Sequence, residues 1–146
     1  MNDADFKLTF ESCLVERGFN KSRNSYYKLS EDIICVIGLQ KTSFDDTYYI
    51  NIGYVIRRVH PDVMLPRYVD GDIRARFSYR DDGRTIDNFD PHAFHSEHNL
   101  VNVIAENVKE LVDGCDSVSG LKDMLTHRPT LLCQTTVQAK RALGIE

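Results

Sequence analysis

No stretch of the 146-residue chain approaches the roughly 20 consecutive apolar residues that a membrane helix needs. The opening residues, Met1-Asn2-Asp3-Ala4-Asp5, are acidic and polar, the opposite of a secretory signal. Both absences point to a cytoplasmic protein without membrane contact, in which Cys13, Cys35, Cys115 and Cys133 stay reduced. Those cysteines form no CxxC pair, and Cys13 and Cys35 fall within apolar patterns that read as core. Basic excess is lacking too: 18 Lys and Arg against 22 Asp and Glu give a net charge of −4, which argues against bulk attraction to nucleic acid or anionic lipid. A P-loop, glycine-rich phosphate loops, a G-x-S-x-G elbow and an H-E-x-x-H pair are all missing, and no cysteine adjoins an obvious base. Internal repeats, low-complexity tracts and domain boundaries are absent as well.

What is present suits one compact domain. The chain is 42% hydrophobic and 27% charged, and a domain of this size buries about 70% of its unfolded surface without disulfide or metal support. The pattern is centred on Ile33 to Arg58, two strands joined by the polar turn Thr42 to Thr47. Ile33 to Leu39 is apolar nearly throughout, as in a strand buried on both faces. From Tyr48 onward the residues alternate: Tyr48, Ile50, Ile52, Tyr54 and Ile56 take one face, and Tyr49, Asn51, Gly53, Val55 and Arg57 the other.

Ahead of this hairpin, Asp3 to Arg17 has helical spacing of Phe6, Phe10, Cys13 and Leu14, with Gly18 to end it. Ser25 to Leu29 reads as a short strand. After the hairpin, Val59 to Gly71 contains two prolines and reads as a loop lying against the body. Ile73 to Arg80 alternates cleanly, with Arg74, Arg76, Ser78 and Arg80 on one face. Arg84 to Phe89 is an edge strand or loop. Helices are expected from Asp90-Pro91 through Val112, over Ser119 to His127, and over Thr130 to Leu143. Short connections favour antiparallel neighbours. The expected fold is therefore α+β, an antiparallel sheet of three to four strands in a hairpin or meander, with the N-terminal helix and the C-terminal helices packed on one face. Residues 1–146 are read as a single domain, 1–89 supplying helix and sheet and 90–146 the helical part.

The blocks VIGLQKTSFDDTYYINIG (Val36 to Gly53) and GFNKSRNSYYK (Gly18 to Lys28) resemble DUF4304, an uncharacterised bacterial domain family. The likeness runs from the first helix to the arginine-bearing strand, and the helical tail matches only in character. The resemblance implies no catalytic residue, because none is assigned in the family. In size and genomic habit such small cytoplasmic families are similar to immunity proteins of bacterial toxin systems, an analogy at the level of fold and size.

Four groups of residues carry candidate chemistry. Arg74, Arg76 and Arg80, joined by Arg57 if register permits, can hold phosphate or an acidic partner by forked hydrogen bonds, although a charged strand face is more often plain solvent surface. Gln40, Lys41, Ser43 and Asn51 stand at or beside the hairpin turn, where register pinning explains them equally well. Tyr49 and the other sheet tyrosines offer amphipathic contact area. His92, His95 and His98 are the candidate metal ligands, but on one helix three residues at this spacing spread over about 240°, which no single ion can gather. The expectation is thus no cofactor, no metal, and more binding protein than enzyme. A protein partner is expected, engaged through an arginine- and tyrosine-bearing sheet face, with toxin neutralisation by an immunity-type protein as one form of that reading. A nucleic-acid- or nucleotide-processing factor is the alternative, and a homodimer built on an exposed sheet face the third reading.

Overall fold

The computed structural model describes residues 1–145. Helix α1 (Asp3–Glu16) is started by Asn2, whose side chain accepts the Asp5 N–H at 2.7 Å. Its buried stripe is Phe6, Phe10, Cys13 and Leu14. Gly18, at φ +92°, reverses the chain so that the Phe19 N–H returns to the Leu14 carbonyl and its ring is buried.

Five strands follow as an antiparallel meander: β1 (Asn20–Ser22), β2 (Ser25–Leu29), β3 (Ile33–Lys41), β4 (Tyr48–Ile56) and β5 (Ile73–Arg76), neighbours in that order. A separate hairpin pairs β6 (Tyr79–Asp81) with β7 (Arg84–Ile86), and β8 (Asn88–Phe89) then returns to lie beside Tyr48 and Tyr49 of β4. The expected α+β architecture is what the structure shows, with the short pieces β1 and β8 extending the main sheet to six strands.

The expected strand Ile73 to Arg80 is interrupted. Asn107 binds both backbone groups of Ser78, its Oδ1 accepting the N–H at 2.9 Å and its Nδ2 donating to the carbonyl at 2.8 Å. Those groups are thereby lost to the sheet ladder, and the chain leaves β4 after the Phe77 N–H has bonded to Ile50.

The two sheet faces differ in their cover. On the first, Ile37, Ile50, Ile52, Tyr54 and Ile56 pack with α1 and the C-terminal helices α2 (Glu97–Leu111), α3 (Val118–His127) and α4 (Val137–Leu143) into the main core. The buried Tyr54 hydroxyl donates to the carbonyl of Leu111 at the end of α2. Expected helix bounds shift here. Residues Pro91–Ala93 form a 3₁₀ turn capped by Asp90, and Ser96 caps α2 only from Glu97. Thr130 to Leu143 is likewise divided, into the 3₁₀ segment Pro129–Gln134, an isolated bridge from Thr135 to Ile73, and α4 capped by Thr136. Val137, the first residue of α4, is 61% exposed.

On the second face, Tyr27, Ile34, Val36 and Val55 form a smaller apolar cluster covered by Val63 and Tyr68. Both belong to the segment 57–71, which crosses the face as a strap. The strap seats on glycine: a Cβ at Gly53 would meet the Tyr68 carbonyl oxygen at 2.6 Å, and one at Gly38 would meet the Tyr68 ring at 2.9 Å. The Tyr27 hydroxyl donates to the Pro66 carbonyl at 2.9 Å. Asp72, 1% exposed, holds the strap's far end. Its Oδ2 accepts the Ile56 N–H at 2.8 Å, and its Oδ1 lies 2.7 Å from His60 Nε2. Its backbone carbonyl accepts the Thr136 N–H at 2.8 Å, which ties the start of α4 to the same point.

Candidate binding face

The strap covers only part of the second face. Beyond it, three strands contribute one polar side chain each to a continuous chain of bonds. Gln40 of β3 accepts at Oε1 from Asn51 Nδ2 of β4 at 2.9 Å, and Asn51 Oδ1 accepts from Arg76 Nε of β5 at 2.8 Å. Register dictates this meeting. Asn51 lies opposite Gly38 on one side and Arg76 on the other, and Gln40 sits two residues along from Gly38 on the same face. Asn51 is 5% exposed with both amide ends bonded, so it is a fixed post and not a mobile surface group. The Arg76 guanidinium lies 3.9 Å from the centroid of the Tyr49 ring, a cation–π stack, and its Nη1 is 3.6 Å from Asp87 Oδ2.

Arg74 stands two residues back on β5, opposite Gly53, and is exposed. Its side chain makes no hydrogen bond or ion pair among the described residues. Around these groups is a cleft of about 490 Å³, walled by Tyr68 and Val69 of the strap, Ala75 of β5, and Leu131 and Gln134 of the 3₁₀ segment. The Tyr68 hydroxyl is 3.5 Å from Gln40 Oε1.

Of the sequence candidates, Gln40, Tyr49, Asn51, Arg74 and Arg76 come together on this face. Three do not. Lys41 is one residue past Gln40, opposite Tyr48, so its side chain falls on the helix side of the sheet, where Nζ lies 3.4 Å from Asp46. Arg80 belongs to the separate hairpin, where it donates to Thr85 Oγ1 at 3.2 Å and to the Gly83 carbonyl at 2.7 Å. Arg57 shares the face by parity but lies four residues beyond Gly53, at the end where the strap departs. Ser43 is exposed in the turn between β3 and β4.

His92, His95 and His98 are exposed and divided among the 3₁₀ turn, the following loop and α2. Among the described residues no group of three or more His, Cys, Asp or Glu side chains is arranged to hold a metal ion. Burial pushes the thiols of Cys13 and Cys35 up and that of Cys115 up to about 11, so these three are protonated core groups and poor nucleophiles. No helix among the described residues is long and apolar enough to cross a membrane.

Tyr68, Val69, Leu131, Gln134 and Asp87 escaped the sequence reading. The strap residues had a signal: Gly38 and Gly53 fall on one face of two paired strands, next to Val36 and Val55, the mark of another segment passing close by. Asp87 had none, since its approach to Arg76 depends on the return of β8.

A family model described as a domain of unknown function, DUF4304, matches residues 10–114. The chain belongs to the DUF4304 family. No curated protein and no solved structure matches the chain. The DUF4304 match takes in Gln40, Tyr49, Asn51, Arg74 and Arg76 together with the strap, whereas Leu131 and Gln134 lie outside it. The bonded polar chain is thus inside the DUF4304 match, and one wall of the cleft comes from the segment beyond it.

Proposed function

We propose that this chain is a non-enzymatic binding module that engages a partner protein through the second face of its sheet. The observation that carries the reading is the contrast between two neighbouring arginines. Arg76 is held by Asn51 over Tyr49, while Arg74 beside it has no partner among the described residues. Arginine and tyrosine are the residues that anchor protein interfaces, because they bring large contact area and directed hydrogen bonds at low entropic cost. The strap adds apolar contact area, with Met64 73% and Leu65 55% exposed.

The test is capture on the immobilised full chain, with the intact mass and stoichiometry of what is retained, followed by affinity measurement on the purified pair. The parent chain and Arg80→Glu are expected to bind alike, burying on the order of 1,200–2,000 Å². Arg74→Glu should weaken binding by roughly 100-fold or more, as expected when a charge faces its like across an interface. Capture of no stoichiometric protein, or an Arg74→Glu chain that binds as well as the parent, overturns the reading.

A further inference from the structure

Resting on that reading, we infer that the group entering the cleft is a single carboxylate, an aspartate or glutamate side chain of the partner, gripped by Arg74. The charge count within the cleft selects it. Arg76 has its Nε committed to Asn51, one face on Tyr49, and Asp87 at 3.6 Å to balance its charge. That leaves one unbalanced positive charge, on Arg74.

One free guanidinium offers the parallel N–H pair that a planar carboxylate accepts in bidentate fashion. A phosphate monoester carries nearly two negative charges and three acceptor oxygens, and phosphate sites typically draw on helix N-termini or several cations together. Here the walls are strand, strap and 3₁₀ segment, and the second cation is already paired. Val69 of the strap and Leu131 of the 3₁₀ segment line the same cleft as Arg74, and apolar walls strengthen one well-aligned ion pair and penalise an unmatched second charge. Arg76, fixed by Asn51 and stacked on Tyr49, lines the cleft beside Arg74 as a polar floor.

The experiment is a side-chain NMR titration of the full chain, following the Arg74 Nε–Hε signal, with three acetylated, amidated pentapeptides identical except for a central Glu, Gln or phosphoserine. The Glu peptide is expected to bind with a Kd on the order of 1 mM, a value suited to one ion pair with a few apolar contacts. The Gln peptide should bind at least about tenfold more weakly, the loss expected for one charge-assisted pair. Arg74→Gln should abolish the difference between the two, Arg74→Lys should retain part of it, and Arg80→Gln should leave it intact. Equal binding of Glu and Gln peptides, tighter binding of phosphoserine than Glu, or no Arg74 shift with any peptide overturns the carboxylate assignment. These outcomes are separate from capture of a partner. A captured protein whose affinity depends on Arg74 but not on any of its acidic residues removes this inference alone, and peptide binding without a captured protein removes the broader reading alone.

Discussion

The backbone carbonyl of Tyr68 lies so close over Gly53 that a Cβ there would approach its oxygen to 2.6 Å. Contact with backbone cannot be relieved by a rotamer change, so Gly53→Ala must lift the strap or bend β4. The expected cost is about 2 kcal/mol, in the range of core overpacking, with faster hydrogen exchange over residues 57–71. Gly38→Ala should cost less, since its nearest neighbour is the movable Tyr68 ring. Urea denaturation ranks the two, and an unchanged midpoint for Gly53→Ala would show that the strap does not rest there.

A second glycine reverses an ordinary expectation. Replacing a helix-interior glycine by alanine usually gains up to about 1 kcal/mol. Gly120 in α3 lies against the Gly114 carbonyl, whose oxygen a Cβ would strike. Gly120→Ala is therefore expected to destabilise by about 3 kcal/mol, at the upper end for overpacking against backbone. Thermal unfolding of this variant at or above the parent temperature would contradict the packing of α3 on the end of α2.

Asp72 joins β4, the strap and the start of α4 through Ile56, His60 and Thr136. Removing a buried carboxylate strands its donors, so Asp72→Ala should cost about 3 kcal/mol. A double-mutant cycle with His60→Ala should show a coupling of about 1 kcal/mol. Additive losses in denaturant would mean that His60 and Asp72 are neighbours without being energetically linked.

Alkali supplies the fourth prediction. Burial, and then the bond to Asp3, pushes the Tyr48 phenol up to about 12, and burial also raises Tyr26, Tyr54 and Tyr79. A phenol that holds its proton more tightly when folded contributes stability in full below about pH 10, and that contribution is lost as pH rises through about 12. Ultraviolet titration should show these phenols ionising late and together with loss of structure, and Tyr48→Phe should flatten the decline in stability over that interval. Ionisation of all seven tyrosines near pH 10 with the fold intact would refute it.

The period-two pattern of β4 and of the arginine-bearing strand was enough to place Asn51, Arg74 and Arg76 on one face, because alternation fixes sidedness once one face is apolar. Sidedness is also unforgiving: Gln40 and Lys41 are adjacent in sequence, and the pleat sends them to opposite faces. Arg80 was misplaced for a reason outside its own segment, the capture of Ser78 by Asn107 from a helix 29 residues away. The histidines parted because Asp90 caps only the 3₁₀ turn Pro91–Ala93, and α2 starts anew at Glu97 under a second cap, Ser96. Long-range side-chain capture and competition between caps leave little trace in local periodicity.

The bonded line Gln40–Asn51–Arg76 draws one residue from each of three adjacent strands, and all three must be in register for it to close. A slip of one position in any strand would turn that strand's member toward the helices and break the line. The line of bonds can therefore close only in a correctly aligned sheet, which makes three side chains a readout of the alignment of three strands.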